Sequence, residues 1–437
     1  MKRRWLLLAA LLAPIGGCGG EVVAARPEWR VRISTDAPIP SFGDRLLVEV
    51  YALDGTVCSG CRREFGVASG SAWPLSFGIV PDGDVARVRA RLYRTVLSGP
   101  EGPKSDRILD AIAGLPSPDG VTDVDIPLSM TCFGVVADLE GDRSCDPETG
   151  ALAPVVAHGS ATPLDVGSWA PAASAPCAGP APADMVCVQG GAFLLGDPTF
   201  VPVGDLNPIP EQLVQVAPFF LDVAEMTVGG MRALAEQIGS PVPASPGPDD
   251  MCTYTTSPGA NEDMPVNCVS HQLASAACAA LGKRLPTEAE WEWAAGNRTL
   301  ESPYPWIDGG SPCDEAIVAM GRLQAPPEQD EQFACLGLEA PGPRPGGSPT
   351  DLTQLGLRNL AGNVSEWVAD DLAAYADESC WGASVALRNN PLCSTGSATR
   401  SLRGGSWSGY AFAARVTWRS GAGAAFTSPR IGFRCAR

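Results

Sequence analysis

The sequence predicts an all-β sandwich over residues 27–150, followed by a second unit of strands, capped helices and much irregular loop over residues 184–437. In the first part, short runs of alternating apolar and polar residues recur about every 10–20 residues between Gly, Pro and Asp turns. In the second part, helix-capping patterns stand between long stretches rich in glycine and proline. The 49 glycines and 41 prolines in 437 residues indicate that turns and loops outweigh regular structure.

The first twenty residues, 1–20, resemble a bacterial export signal. Lys2–Arg4 supply the charged start, and Trp5–Pro14 supply an apolar run that is too short to span a bilayer. Small residues precede Cys18, as in a lipoprotein cleavage box in which this cysteine is lipid-modified; the alternative is an ordinary signal peptide that contains a cysteine. Several acyl chains on Cys18 would give a stable anchor. We therefore expect an exported protein anchored in the cell envelope, and Gly19 instead of Asp favours the outer membrane.

The charge of the chain restricts its partners. With a formal net charge of −18 and a pI near 4.6, the chain lacks the clustered Lys and Arg that phosphate binding needs, so we expect no nucleic acid. The same charge disfavours contact with an acidic membrane face. The membrane is expected as a partner only through the lipid anchor.

Fifteen cysteines indicate disulfides. Without Cys18, fourteen remain in an exported chain, and an even number in that compartment favours disulfide bonds. Spacing does not fix the connectivity, but it is compatible with four pairs: Cys132/Cys145, Cys252/Cys268, Cys313/Cys335 and Cys380/Cys393. Cys58 and Cys61 follow a strand and precede a charged loop. A local disulfide or two separate bonds therefore fit them better than a redox pair, which needs a helix start.

The first unit carries strand patterns and no catalytic motif. Ala86–Leu92 alternates apolar and charged side chains with a period of two, which marks a half-buried strand. Similar runs lie at residues 30–34, 45–53, 75–80 and 124–130. Residues 151–183 are rich in Ala, Pro, Ser and Gly and are typical of a linker, which contains His158, one of two histidines.

The second unit alternates strands, capped helices and long loops. Strands are predicted at residues 185–188 and 219–223. Thr227 and Ser270 are placed to cap two helices. Thr287 and Glu290 form a capping box, in which each side chain can accept a hydrogen bond from the other's main-chain amide. A third helix is therefore predicted to begin near Thr287.

Six motifs follow one another in the second unit. They read G-G-x-F-x-x-G, E-x-T, G-K-R-L-P-T-E-A-E-W-E, G-N-V-x-E-W, R-G-G-S-W and G-F-R-C, at Gly190–Gly196, Glu225–Thr227, Gly282–Glu292, Gly362–Trp367, Arg403–Trp407 and Gly432–Cys435. In this order they resemble the formylglycine-generating enzyme, or sulfatase-modifying factor, domain. The resemblance covers Asp184 to the C-terminus and implies an α+β, C-type-lectin-like fold with much loop. It also implies a disulfide between Cys278 and Cys435, which match family cysteines that bridge a helix to the last strand.

The resemblance implies a calcium site in the loop N-x-x-G-N-x-x-E. Residue by residue, the ligands fall on Asn359, Gly362, Val364 and Glu366, through two side chains and two main-chain oxygens. Calcium prefers six or more oxygen ligands, and Gly362 permits the sharp turn. The alternative is that Asn359 and Glu366 only hydrogen bond the loop backbone. A second family calcium site would need an asparagine near Ile317, where this chain is apolar.

The catalytic residues that the resemblance implies are missing. The family oxidises a substrate cysteine with two cysteines that bind copper(I), a soft ion held by soft thiolates. They lie three and about eight residues after the serine of G-G-S, where this chain has Gly409 and Ala414. No cysteine occurs between Cys393 and Cys435, so we expect no copper and no formylglycine formation.

Other charged and polar residues are expected to be structural. Arg415 and Arg419 fit buried ion-pair networks better than substrate binding. His271 lies in the first turn of its helix and is expected to be exposed or capping. It is far in sequence from His158, and nothing selects these two for a metal site or a catalytic triad.

The sequence therefore favours an envelope-anchored lipoprotein with a catalytically degenerate domain that binds or scaffolds an envelope protein or a glycan. Long loops at 240–267 and 372–400 can vary without harm to a core and suit such a role. The alternative is an enzyme, either an active sulfatase-modifying oxidoreductase or another envelope oxidoreductase. That alternative needs a cysteine pair near the cleft, and Cys380 and Cys393 are the candidates nearest in sequence.

Overall fold

The computed structural model describes residues 27–70, 73–80, 85–156, 162–200, 208–238, 251–318, 335, 341–382 and 386–437. The export signal at 1–20, the lipidation residue Cys18 and the histidine His158 lie outside the described residues. Within these ranges, no helix is long and apolar enough to cross a bilayer.

The first unit is a sandwich of two sheets. Seven strands form them: β1 (Glu28–Thr35), β2 (Arg45–Ala52), β3 (Val57–Gly66), β4 (Leu75–Ile79), β5 (Val85–Tyr93), β6 (Leu109–Gly114) and β7 (Val121–Leu128). One sheet has the order β4-β1-β7 and the other β3-β2-β5-β6, and β1 pairs in parallel with β7. A small hairpin of β8 (Arg143–Cys145) and β9 (Leu152–Pro154) follows. The buried faces of both sheets contribute to one apolar cluster, so this unit is all-β.

Strand β5 shows why the sandwich sequence alternates. Val88, Ala90 and Leu92 alternate along the strand and are 0% exposed. The arginines between them point to the other face and find acidic partners: Arg87 with Asp142, Arg89 with Asp110 and Arg91 with Glu49, at 2.8, 2.5 and 2.6 Å. The predicted half-buried strand at Ala86–Leu92 is confirmed, and cross-strand ion pairs fill its polar face.

The segment predicted as a linker is packed where it is described. The main-chain amide of Trp169 donates to the oxygen of Asp36, and its ring meets Phe42 edge to face at 5.8 Å. Gln215 donates to the main-chain oxygen of Pro171, so the segment also contacts the second unit. The composition hid this contact, because one tryptophan supplies the apolar area that the surrounding Ala and Pro lack.

The second unit is α+β with a mixed sheet at its centre. Its strands are β10 (Met185–Val188), β11 (Gly191–Leu195), β12 (Gln212–Val216), β13 (Phe219–Asp222), β14 (Ser365–Asp371), β15 (Arg388–Asn389), β16 (Thr399–Arg403), β17 (Arg419–Gly423) and β18 (Ile431–Gly432). The central sheet has the order β17-β16-β14-β18. Two smaller sheets have the orders β10-β13 and β11-β12-β15. The helices are α1 (Val228–Ile238), α2 (His271–Ala280), α3 (Glu288–Ala295), α4 (Pro312–Glu315) and α5 (Glu378–Trp381).

The helix starts follow the predicted caps. Ser270 Oγ accepts from the amide of Leu273 at 3.2 Å at the start of α2. Thr287 Oγ1 accepts from the amide of Glu290 at 3.2 Å, and Glu290 Oε2 accepts from the amide of Thr287 at 2.9 Å. The capping box and its helix are thus confirmed, because these bonds satisfy amides that a helix start leaves free.

The expectation for His271 was wrong. The side chain is buried, with its Nε2 3.0 Å from the main-chain oxygen of Val368 and its ring edge-on to Trp367 at 5.6 Å. Burial lowers the pKa of His271, opposed in part by the hydrogen bond to Val368. The first turn of α2 faces the β14 strand instead of solvent, and nothing local to the helix indicates that orientation.

The two units share an apolar core. Leu194 on β11 and Leu213 on β12 belong to the same buried cluster as Phe42 of the sandwich. Ser41 Oγ of the sandwich also donates to the main-chain oxygen of Thr299 at 3.1 Å. The sandwich is therefore packed against the second unit, and side chains of the sandwich reach the cleft described below.

Candidate functional site

A buried network of charges lies between α3 and the sheet of β14, β16 and β17. Glu288 accepts two hydrogen bonds from Arg419, whose Nε and Nη2 atoms are 2.7 and 2.9 Å away. Arg403 pairs with Glu292, and its Nε lies 3.6 Å from Glu288. All eight residues of α3 are buried. The network thus joins the helix to two strands without access to water.

The arginines of this network offset the burial of its two carboxylates to different degrees, and the pKa of Glu292 stays raised by burial. Burial alone would raise the pKa of Glu288, but Arg419 and Arg403 hold it below its ordinary value. The Arg419 Cζ atom lies 3.8 Å from the centre of the Tyr375 ring, and its Nη2 also donates to the main-chain oxygen of Ala373. The prediction that Arg419 belongs to a buried ion-pair network is confirmed.

The R-G-G-S-W motif turns directly after Arg403. Gly404 and Gly405 have φ angles of 87° and 70°, which glycine adopts without strain. A Cβ atom at Gly405 would lie 2.6 Å from the main-chain oxygen of Ala413. A larger residue would therefore displace the turn that carries Ala414.

The two positions at which the resemblance implies cysteines are Gly409 and Ala414. Ala414 ends a short 3₁₀ helix, Ala411–Ala414, and is fully buried. Gly409 precedes that helix, and its amide donates to the main-chain oxygen of Ser406 at 2.8 Å. A Cβ atom at Gly409 would lie 3.6 Å from the Cβ of Ala413. The fold thus places Gly409 next to Ala413, the residue before Ala414, and neither Gly409 nor Ala414 carries sulfur.

A cavity of about 270 Å³ adjoins the residues that follow Ala414. Arg415 and Thr417 line one wall, and Arg415 pairs with Asp197 at 2.8 Å. The opposite wall includes Arg94 of the sandwich and Glu211, which precedes β12. Arg415 therefore differs from Arg419, because it lies at a cleft and only partly inside the protein.

Half-buried aromatic rings surround Arg415. Its Cζ atom lies 4.9 Å from the ring centre of Phe200 and 5.8 Å from that of Tyr304, distances at which a cation is attracted to a ring. Phe412 and Trp418 pack at 5.1 Å beside them. The four rings come from three segments, since Phe412 and Trp418 flank Arg415 while Phe200 and Tyr304 are distant in sequence, so no local pattern could have grouped all of them.

The predicted calcium loop is tightly folded around buried side chains. Asn359 and Gly362 have φ angles of 55° and 83°. Asn359 Nδ2 donates to Glu225 at 2.9 Å, while its Oδ1 is buried and has no hydrogen-bond partner among the described residues. Glu366 accepts from Arg434 at 2.7 Å and from the indole of Trp291 at 2.8 Å. In the described part of the chain, both side chains thus bond to other side chains instead of holding the loop backbone.

Buried negative charge exceeds buried positive charge around this loop. Burial, and then repulsion from Glu366, raises the pKa of Glu225 to about 8. Burial also raises the pKa of Asp351 well above its ordinary value. Among the charged side chains that the structure describes around this loop, Arg434 is the arginine that attracts the carboxylates of Glu225, Asp351 and Glu366. A hard cation would offset this excess, and the free Asn359 oxygen suits it.

The remaining donors define how calcium could fit. Across the described residues, no three His, Cys, Asp or Glu side chains are arranged to hold a metal ion. A calcium ion would thus depend on the amide oxygen of Asn359, the main-chain oxygens of Gly362 and Val364, and a Glu366 carboxylate that it must share with Arg434. The residues are compatible with the ion, and the site stays a prediction. Ile317 holds this loop through its main-chain oxygen, which accepts from Asn363.

Comparison with known families identifies the second unit. The family described as sulfatase-modifying factor enzyme 1-like domain matches residues 172–437. The chain belongs to this family.

Relatives within the sulfatase-modifying factor family carry two kinds of name. The inactive C-alpha-formylglycine-generating enzyme 2 of Mus musculus is 29% identical over 291 residues, which cover 58% of this chain and 85% of that protein. The formylglycine-generating enzyme of Streptomyces coelicolor is also 29% identical, over 58% of this chain and 88% of its own. PvdO from Pseudomonas aeruginosa, a solved structure, is 22% identical with a TM-score of 0.41 and covers 58% of this chain and 93% of its own. The inactive mouse protein and the Streptomyces enzyme are equally identical to this chain. Sequence identity alone therefore does not show whether this chain is an active or an inactive member of the family.

The cysteines of this sulfatase-modifying factor member are paired throughout the described residues. Seven disulfides use all fourteen: the four pairs compatible with spacing, the local Cys58–Cys61, the pair Cys278–Cys435 that the resemblance implied, and Cys177–Cys187. The sequence reasoning missed Cys177–Cys187, although their separation of 10 residues is as short as that of other pairs. Cys380 and Cys393, the pair that the enzyme alternative needs as thiols, form one of these disulfides.

Proposed function

We propose that this protein is an exported lipoprotein in which a C-type-lectin-like sulfatase-modifying factor domain no longer forms formylglycine and instead binds or scaffolds a partner in the cell envelope. The observation that carries the proposal is the chemistry of the cleft. Gly409 and Ala414 replace the copper-binding cysteines, and the fourteen cysteines of the described residues are all in disulfides. A thiolate is needed to hold copper(I), and a disulfide offers none.

Two features support a binding role. The scaffold around the cleft is intact, since the Glu288–Arg419 pair and the glycine turn are in place without the thiols. Beside them, Arg415 and the rings of Phe200 and Trp418 form a half-buried group of the composition that is enriched at protein interfaces. An envelope protein or a glycan would both meet such a surface through aromatic contact and hydrogen bonds.

The lipid anchor rests on the sequence around Cys18. Recovery of the native exported protein from envelopes without detergent would contradict it, because several acyl chains hold a protein to a bilayer stably.

We expect no formylglycine from this protein. The measurement is aldehyde detection on a peptide that carries a cysteine-containing sulfatase motif, with copper(I) added. The formylglycine-generating enzyme of Streptomyces coelicolor serves as the positive control. The matched variant is Gly409→Cys combined with Ala414→Cys, which restores a cysteine at both positions where the resemblance implies one and is expected to gain copper(I) binding. Turnover by the unmodified protein above the blank would overturn the proposal and favour the enzyme alternative.

Removal of calcium is expected to lower the melting temperature. An ion that binds only the folded state stabilises it by about 2.7 kcal/mol at one hundred times its Kd. Melting is compared with excess calcium and with a chelator, for the protein and for Asn359→Ala. The variant is expected to lose the response, since it lacks the amide oxygen that has no partner among the described residues. A melting temperature that is the same with and without chelator would argue against the site.

A further inference from the structure

The junction between the two units places one cation between two carboxylates. Arg94 follows β5 of the sandwich, and its Nη2 pairs with Glu211. Its Nη1 lies 3.3 Å from Glu301, which follows α3. The Arg94 and Glu211 side chains are 14% and 2% exposed. The sandwich therefore supplies the positive charge, and the second unit supplies both negative charges.

The charges near this group have partners of their own. Asp197 pairs with Arg415, and Glu292 with Arg403. Arg298 bonds to Gln189. Arg107 donates its Nε to the main-chain oxygen of Glu211, and its Nη1 contacts Asp106. Among the charged side chains that the structure describes here, Arg94 is thus the partner left for Glu211 and Glu301 together.

One guanidinium does not offset the buried carboxylate of Glu211 and the half-buried carboxylate of Glu301, whose side chains are 2% and 21% exposed. Burial raises the pKa of Glu211 to about 7, against the attraction of Arg94, and Glu301 and Asp197 add repulsion. Burial likewise raises the pKa of Glu301 to about 7, with repulsion from Glu292 and Asp197. One Glu211 oxygen, Oε1, is also buried without a hydrogen-bond partner in the described residues. A proton on one of the two carboxyl groups would relieve this excess of charge.

The charged group borders the apolar contact that joins the units. Leu194, whose amide donates to Glu301 at 3.3 Å, also belongs to the core that the sandwich shares. Arg94, Glu211 and Glu301 line the same cavity as Arg415. A change of charge at this group therefore acts on the contact between the units and on the cavity between them.

We propose that Arg94, Glu211 and Glu301 form a proton-linked clasp, which holds the sandwich against the second unit more tightly in mild acid than in mild alkali. The sign follows from linkage. A carboxyl group with a raised pKa in the folded state binds more protons folded than unfolded between its two pKa values. Stability therefore falls as the pH rises from about 4.5, the ordinary glutamate value, to about 7, and changes little above that. Loosening the clasp would open the cavity that Arg415 lines.

The test is the pH dependence of unfolding of the full chain between pH 5.5 and 8, for wild type and Glu301→Gln. The variant keeps the Arg94–Glu211 pair and leaves one carboxylate for one arginine. Between pH 5.5 and 8, the equilibrium constant of unfolding is expected to rise in the wild type. In Glu301→Gln this rise is expected to be smaller by a factor on the order of ten. Other buried carboxyl groups, Glu225 and Asp370, titrate in a similar range, so the difference between the two proteins is the measured quantity.

Two further variants locate the effect. Glu211→Gln is expected to flatten the pH profile as Glu301→Gln does, because either substitution leaves a single carboxylate. Glu262→Gln is the control, since this exposed carboxylate has its pKa lowered by a hydrogen bond from Arg232 and lies outside the junction. An unchanged profile in both Glu301→Gln and Glu211→Gln, or an equal flattening in the control, would overturn the clasp.

Discussion

Replacing Arg419 by methionine is expected to lower the free energy of unfolding by about 3–5 kcal/mol, the usual cost of removing one partner of a buried ion pair. Glu288 would be left with both oxygens out of water and its two hydrogen bonds lost. Arg403 is too far away, at 3.6 Å, and too engaged with Glu292 to replace them. Urea unfolding followed by tryptophan fluorescence measures the effect, because several tryptophans pack in this core.

Two matched changes separate this effect from a general loss of charge. Arg30→Met removes an exposed pair with Asp123 on the sandwich and is expected to leave the unfolding curve unchanged. Adding Glu288→Leu to Arg419→Met is expected to recover part of the loss, since it removes the unpaired carboxylate. If Arg419→Met alone unfolds like the wild type, the buried network contributes no stability and the structural role of Arg419 is wrong.

Loss of the Cys278–Cys435 disulfide is expected to cost about 5 kcal/mol, because it closes a loop of 157 residues. An unfolded chain without this bond gains much conformational entropy. Both cysteines are fully buried, where α2 meets the end of the chain, so the double variant Cys278→Ala with Cys435→Ala removes little volume. The measurement is thermal and urea unfolding of the purified double variant against the wild type.

The control is the local disulfide of the sandwich. Cys58 and Cys61 are three residues apart, and the same reasoning gives a loss of about 2 kcal/mol for Cys58→Ala with Cys61→Ala. The ratio of the two effects matters more than either value, since both variants replace two cysteines by alanine. Equal losses would show that loop closure does not account for the stability that Cys278–Cys435 provides.

Local chemistry explains what the sequence could predict. The caps at Ser270 and Thr287 need only residues within four positions of each other, so the helix starts could be read directly. The alternation in β5 likewise depends on a period of two and on one buried face. The α+β class of the second unit followed from the resemblance that its six motifs carry, and the positive φ angles of Gly404 and Gly405 account for the two glycines of the R-G-G-S-W motif.

Contacts between distant segments explain what could not be predicted. The junction group is one example, since Arg94 lies 117 residues before Glu211, and Glu301 lies much further along the chain. Each of the three looks like an ordinary surface charge in its own segment. The same holds for His271, whose neighbour Val368 lies 97 residues away. Trp169 was hidden by the Ala and Pro around it. The predicted calcium ligands, by contrast, lie in one short loop that matches a family motif, so the resemblance could assign them residue by residue, and they stay a prediction.

The apolar contact between the two units also limits how this protein could be rearranged in evolution. Leu194 and Leu213 take part of their cover from sandwich residues, and burying a leucine side chain is worth about 1.5–3 kcal/mol. A gene fusion that exchanged the sandwich for an unrelated partner would leave both leucines facing water. We therefore expect the gene segments that encode the two units to be inherited together, because a recombination that separates them exposes this apolar surface.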